Sequence, residues 1–139
     1  MISAQDRSEI IELIARYNWA IDTRDAGAYA GTFLPDGVFD GGTEILTGHG
    51  ELAAYVNDVI APSPHAAGLQ HWTTNHVLEK ITDDECDVRS YMIGPRDGGE
   101  DGVAVRVVGW YRDRVVRSGH GWRFARRTWR EWNEEDDAS

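Results

Sequence analysis

The sequence contains one cysteine, Cys86, in 139 residues. A single thiol makes neither an internal disulfide nor a cysteine-based zinc site. The shortage fits a reducing compartment, so a cytoplasmic location is expected. Long apolar runs are missing too, and Met1 leads into polar residues rather than a signal peptide. Positive charge is scarce: 14 Lys and Arg stand against 24 Asp and Glu, a net charge of -10. Polyanions repel such a chain, which argues against nucleic acid and membrane as partners. There is no glycine-rich phosphate loop and no Gly-x-Ser-x-Gly elbow. The histidines, His49, His65, His71, His76 and His120, lack zinc-motif spacing. Neither a metal nor a cofactor is expected.

What is present suits one folded domain. Apolar residues make up 41% of the chain, with six Trp, five Tyr and three Phe. Residues 1–133 read as the domain and 134–139 as a solvated acidic tail. Ser3 with Asp6 three residues on resembles a capping box. Ile10, Leu13, Ile14, Tyr17 and Ile21 then recur at helical spacing, so a helix is expected over 4–23. A short helix follows over 25–33, and Leu34-Pro35-Asp36-Gly37 breaks it. Val38-Phe39 and Ile45-Leu46 suggest short strands, and 49–60 a third helix. From 69 the period becomes that of strands, expected near 69–81, 86–94, 103–116 and 121–132. Helices first and long hairpin-linked strands afterwards imply an α+β fold: a curved, mostly antiparallel sheet on three helices, enclosing a pocket.

The pocket chemistry is read from a few side chains. Asp22 falls near the end of the first helix, at the edge of its buried stripe. It reads either as a helix-end carboxylate bonded to a turn or as a desolvated group facing the cavity. On an alternating strand, His71 shares a face with Leu69, Thr73, Asn75 and Val77, while His76 turns the other way with Trp72 and Leu78. His71 reads either as a satisfied core histidine or as a pocket residue. Were the two to meet, the carboxylate would fix the imidazole tautomer and make the second ring nitrogen a general base. Tyr17 is either a core tyrosine or a donor to a developing oxyanion. On the last strand Arg123, Ala125, Arg127 and Trp129 share one face, from which an arginine either reaches into the pocket or pairs with surface acids.

The run Tyr17-Asn18-Trp19-Ala20-Ile21-Asp22-Thr23-Arg24-Asp25, with Phe33-Leu34-Pro35-Asp36-Gly37, resembles the SnoaL-like branch of the nuclear transport factor 2-like superfamily. So do Gln70-His71-Trp72-Thr73-Thr74-Asn75, Trp110-Tyr111 and Gly121-Trp122-Arg123-Phe124. The chain is similar to scytalone dehydratase, hexachlorocyclohexane dehydrochlorinase and bile-acid 7α-dehydratase. This resemblance implies a cone-shaped α+β barrel and a cofactor-independent lyase or isomerase acting on a small hydrophobic cyclic molecule. It places Asp22 and His71 as the Asp–His base, Tyr17 as a catalytic tyrosine and Arg127 as the assisting arginine. The sequence departs near Arg96, where the second histidine of scytalone dehydratase would fall, and at Val105 and Val107, where its polar pair would fall. The superfamily also holds non-enzymes, so a ligand-binding protein or an accessory subunit is the alternative. Val103, Val105, Val107 and Trp110 form a strand apolar on both faces, from which a homo-oligomer, a dimer or trimer, is expected.

Overall fold

The structure, a computed structural model, describes residues 1–134. Apart from Glu134, the expected acidic tail lies outside the described residues. The chain runs α1 (Ala4–Asp22), α2 (Ala26–Gly31), β1 (Phe33–Asp40), β2 (Ile45–Thr47), α3 (Gly48–Tyr55), β3 (Trp72–Thr82), β4 (Glu85–Asp97), β5 (Val103–Ser118) and β6 (Gly121–Glu131). A π turn over Val56–Ile60 extends α3. The six strands form one sheet in the order β2-β1-β6-β5-β4-β3. Every neighbouring pair is antiparallel except β1 with β6. No helix among the described residues is long and apolar enough to cross a membrane.

Local chemistry explains the element ends. The Ser3 hydroxyl accepts the Asp6 N–H at 3.0 Å, satisfying one free donor of the first turn of α1. The Asp6 carboxylate in turn accepts from Arg117 and from the Trp122 indole at 3.2 Å, tying the start of α1 to the β5–β6 hairpin. Asp25 caps α2 through Ala28 N–H, also at 3.0 Å. The apolar stripe of α1 (Ile10, Leu13, Ile14, Tyr17, Ile21) is buried against the sheet. Tyr17 sits at the centre of an aromatic cluster, its ring centroid 5.0 Å from Tyr29, 5.7 Å from Phe124 and 6.1 Å from Tyr111. Burying each such ring contributes about 1.5–3 kcal/mol, which is enough to seat the helix on the strands.

Among the departures from simple periodicity, three differ from the sequence reading. Leu34-Pro35-Asp36-Gly37 is not a break between elements but lies within β1, where the register shifts between Phe33 and Val38. Gly37 permits this close passage: a Cβ there would lie 2.8 Å from the Phe33 Cβ and 2.9 Å from the Phe124 carbonyl oxygen. In β3 the register shifts between Thr74 and Val77, and Asn75 adopts φ 57°, a left-handed conformation that asparagine tolerates. The alternation therefore flips. His76 turns inward on the side of His71 and Thr73, while Asn75 and Val77 face outward, opposite to the strict period-2 expectation. In β6 the register shifts so that Arg126 pairs with Arg114 but Phe124 with Val115, leaving Ala125 as the extra residue. Trp122 and Phe124 are buried before this bulge and Arg127 after it. Arg123 and Arg127 thus do not share a face as expected.

Candidate active site

Two rungs fasten the C-terminal half of α1 to the start of β3. The Asn18 amide donates to the Thr73 hydroxyl at 3.2 Å. One helical turn later, the Asp22 carboxylate takes His71 in a two-point grip. One oxygen accepts the His71 backbone N–H at 3.0 Å, and the other accepts Nδ1–H at 2.7 Å. The spacing matches because four helical residues rise ~6 Å and two strand residues span ~6.6 Å. The carboxylate and the imidazole are 18% and 14% exposed, so the pair is partly dry yet reachable. With Nδ1 carrying the proton toward Asp22, Nε2 is the nitrogen that holds the free lone pair.

The pair stands in the wall of a cavity of about 410 Å³ between the helices and the concave side of the sheet. Ile21, Phe39, Tyr55, Met92, Tyr111 and Trp129 supply most of its apolar lining. Glu44, Glu131 and Glu134 also border it. Burial, with Glu44 nearby, holds the Tyr55 hydroxyl well above the usual phenol range and hence protonated. Outside the pair lies an open groove of about 520 Å³, bordered by the exposed Trp19 and Trp72.

The loop between the π turn and β3 closes one side of this site. Arg24, in a left-handed turn at φ 60°, donates to the carbonyls of Asp22 and Ala66. Arg96 donates to the carbonyls of Ala67, at 2.9 Å, and Pro64. Arg96 therefore holds the loop.

Of the four expected residues, Asp22, His71 and Tyr17 line the cavity. Burial keeps the Tyr17 hydroxyl protonated, well above the phenol range. Arg127 does not join them. It lies outside the cavity lining and is fully buried, with Nε 3.0 Å from an oxygen of the equally buried Asp113. Its guanidinium carbon lies 3.5 Å from the ring centroid of Tyr111 and 4.2 Å from that of Tyr17. The Ala125 bulge is the reason, since it delivers Arg127 into the aromatic cluster. The arginine that borders the cavity is Arg24. Neither Arg24 nor Tyr111 was singled out from sequence as a site residue. Tyr111 carried a signal, as an aromatic beside Asp113 in a long strand, whereas nothing about Arg24 marks a turn that folds back.

The model of the SnoaL-like domain matches residues 3–128. An NTF2-like protein with a cystatin-like fold from Novosphingobium aromaticivorans is 26% identical, with a TM-score of 0.84, covering 96% of this chain and 86% of that one. A protein of unknown function from Mycobacterium tuberculosis is 27% identical at TM-score 0.81, covering 96% and 74%. The hexachlorocyclohexane dehydrochlorinase LinA-type3 from Novosphingobium barchaimii shares the fold at 22% identity and TM-score 0.77, covering 95% and 92%. No curated protein matches the chain.

Proposed function

The chain belongs to the SnoaL-like domain family, and we propose that it is a lyase or isomerase that uses Asp22 and His71 as a general base on a small hydrophobic cyclic substrate. The 2.7 Å contact between Nδ1 and the Asp22 carboxylate, in the wall of an aromatic cavity, is the observation that carries this reading. Nε2 takes a proton from a carbon of the bound ring. The C–H electron pair forms the new double bond, and the leaving group departs from the neighbouring carbon with its own bonding pair. In an isomerisation, the proton returns to a different carbon instead. The Asp22 carboxylate faces the imidazolium that forms and compensates its charge. Tyr17 supports the oxygen on which negative charge develops. The apolar lining accommodates a ring and keeps water from competing for the proton.

The test is a panel of small cyclic β-hydroxy ketones, followed by the absorbance of the conjugated product. Wild-type protein should turn over at least one of them, and His71→Ala should lower that rate by ~10²–10⁴. Equal turnover by the two proteins would remove the pair from the mechanism.

A second copy of the chain is the proposed cover for the outer face of the sheet. Val103, Val105 and Val108 on β5 and Tyr91 on β4 are exposed there, an apolar area larger than isolated surface residues explain. Light scattering should then give twice the chain mass or a higher multiple. A monomer at micromolar concentration would refute it.

A further inference from the structure

We propose that Arg127 is a positioning residue that acts through Tyr17 and Tyr111, making them paired donors for an anionic oxygen bound in the cavity. The inference rests on the reading of the cavity as a site of proton abstraction, and it adds how the resulting negative charge is held. Three observations support it. Tyr17 and Tyr111 both line the cavity, on opposite sides of the α1–sheet boundary. Their rings meet edge to face, with centroids 6.1 Å apart. The Arg127 guanidinium lies against both rings, 4.2 Å and 3.5 Å from their centroids, without itself lining the cavity.

A cation in that place has two effects. It attracts the negative faces of both rings and holds them in one orientation. Its field also polarises each O–H toward release of its proton, and in a dry interior that field is poorly screened. Burial works against ionisation and keeps both hydroxyls protonated, while Arg127 opposes it. The outcome is two neutral donors, more acidic than burial alone would leave them. Such donors strengthen their hydrogen bonds when an enolate or phenolate oxygen develops negative charge beside them. Asp113, with its carboxylate 3.0 Å from Arg127, tempers this field.

The probes are para-nitrophenolate, at a pH where it is ionised, and its neutral isostere para-nitrotoluene, with affinities measured by titration. Tyr17→Phe and Tyr111→Phe should each weaken para-nitrophenolate by ~10-fold or more, the loss of a hydrogen bond to a charged group, and leave para-nitrotoluene unchanged. Arg127→Met should weaken the anion selectively. Asp113→Asn, which removes the counter-charge, should tighten it. A purely structural role for the buried pair predicts instead that both substitutions loosen both probes. The proposal is overturned if the two tyrosine variants bind the anion as the wild type does, or if Arg127→Met affects both probes equally. Where a variant of the buried pair does not fold, the two isosteric tyrosine variants decide alone. His71→Gln separates this proposal from the catalytic reading, because it should lower turnover by ~10²–10⁴ without removing the preference for the anion.

Discussion

Two pairs of a carboxylate with a nitrogen base or cation lie within the same fold, one open and one sealed. Asp22 and His71 meet at the cavity wall, where both are partly exposed and Asp22 engages Nδ1 rather than Nε2. Asp113 and Arg127 meet in the sealed aromatic cluster at 0% exposure. The first pair couples a carboxylate to a group that can shuttle a proton. The second couples it to a guanidinium, which stays protonated throughout the working range. Burial raises Asp113 to about 6 while Arg127 pulls it down, so the sealed carboxylate is held against the cost of its own burial. Position in the fold and residue type together separate a pair open to the cavity from a sealed one.

Substitutions that break one pair at a time sharpen the contrast. The largest expected effect is on rate: His71→Gln should lose ~10²–10⁴ in turnover with a thermal midpoint close to wild type. A collapsed midpoint would mean that the open pair is structural. Next is Asp113→Ala, which leaves a buried, uncompensated guanidinium. It should lose about 3–5 kcal/mol of stability, measured by urea unfolding. A loss under 1 kcal/mol would show that Arg127 finds other partners. Asn18→Ala removes the upper rung of α1 on β3. It should lose ~1 kcal/mol of stability and a larger share of activity, because Asp22 then loses its alignment with His71. Proportional losses of both would contradict this.

The smallest effect is in the pH dependence of stability. His76 faces the interior, its Nε2 buried without a hydrogen-bond partner, and burial, with Arg127 and Arg7 nearby, lowers its pKa below 6.5. The folded state therefore binds the proton less readily than the unfolded chain. Its contribution is fully present above 6.5 and is lost as pH falls through the lowered folded value. Asp113 has the opposite sign. With its folded pKa raised from 3.8 to about 6, its contribution is present below 3.8 and is lost as pH rises through about 6. Unfolding curves of His76→Gln minus wild type should slope in one direction across this window, and those of Asp113→Asn in the other. Parallel slopes would rule out this assignment.

Much of this architecture was legible in the sequence because it is written in periods and punctuation. The stripe of α1 and the Ser3 cap each act locally, and α1 lies where they indicate. The bulges were not legible. Period-2 reasoning has no marker for one extra residue, and Ala125 carries no bulge signature at all. That single residue moved Arg127 from an expected cavity wall to the sealed cluster. Asn75 gave only a faint hint through its tolerance of positive φ, and missing it put His76 on the wrong face. Asp22 and His71 could be named individually, but their meeting depends on a helix rise matching a strand rise across 49 positions of sequence. Spacing along the chain cannot express that, whereas family resemblance can.

The most direct measurement is deuterium uptake. Cyclic ketones sized for the cavity would be incubated with the protein in heavy water and their α-carbons followed by NMR. If Nε2 of His71 exchanges protons with a bound ring, wild-type protein should deliver deuterium to one α-position far faster than buffer, and His71→Gln should not. Exchange at the buffer rate for every ketone that binds, or equal exchange by the variant, would contradict the account.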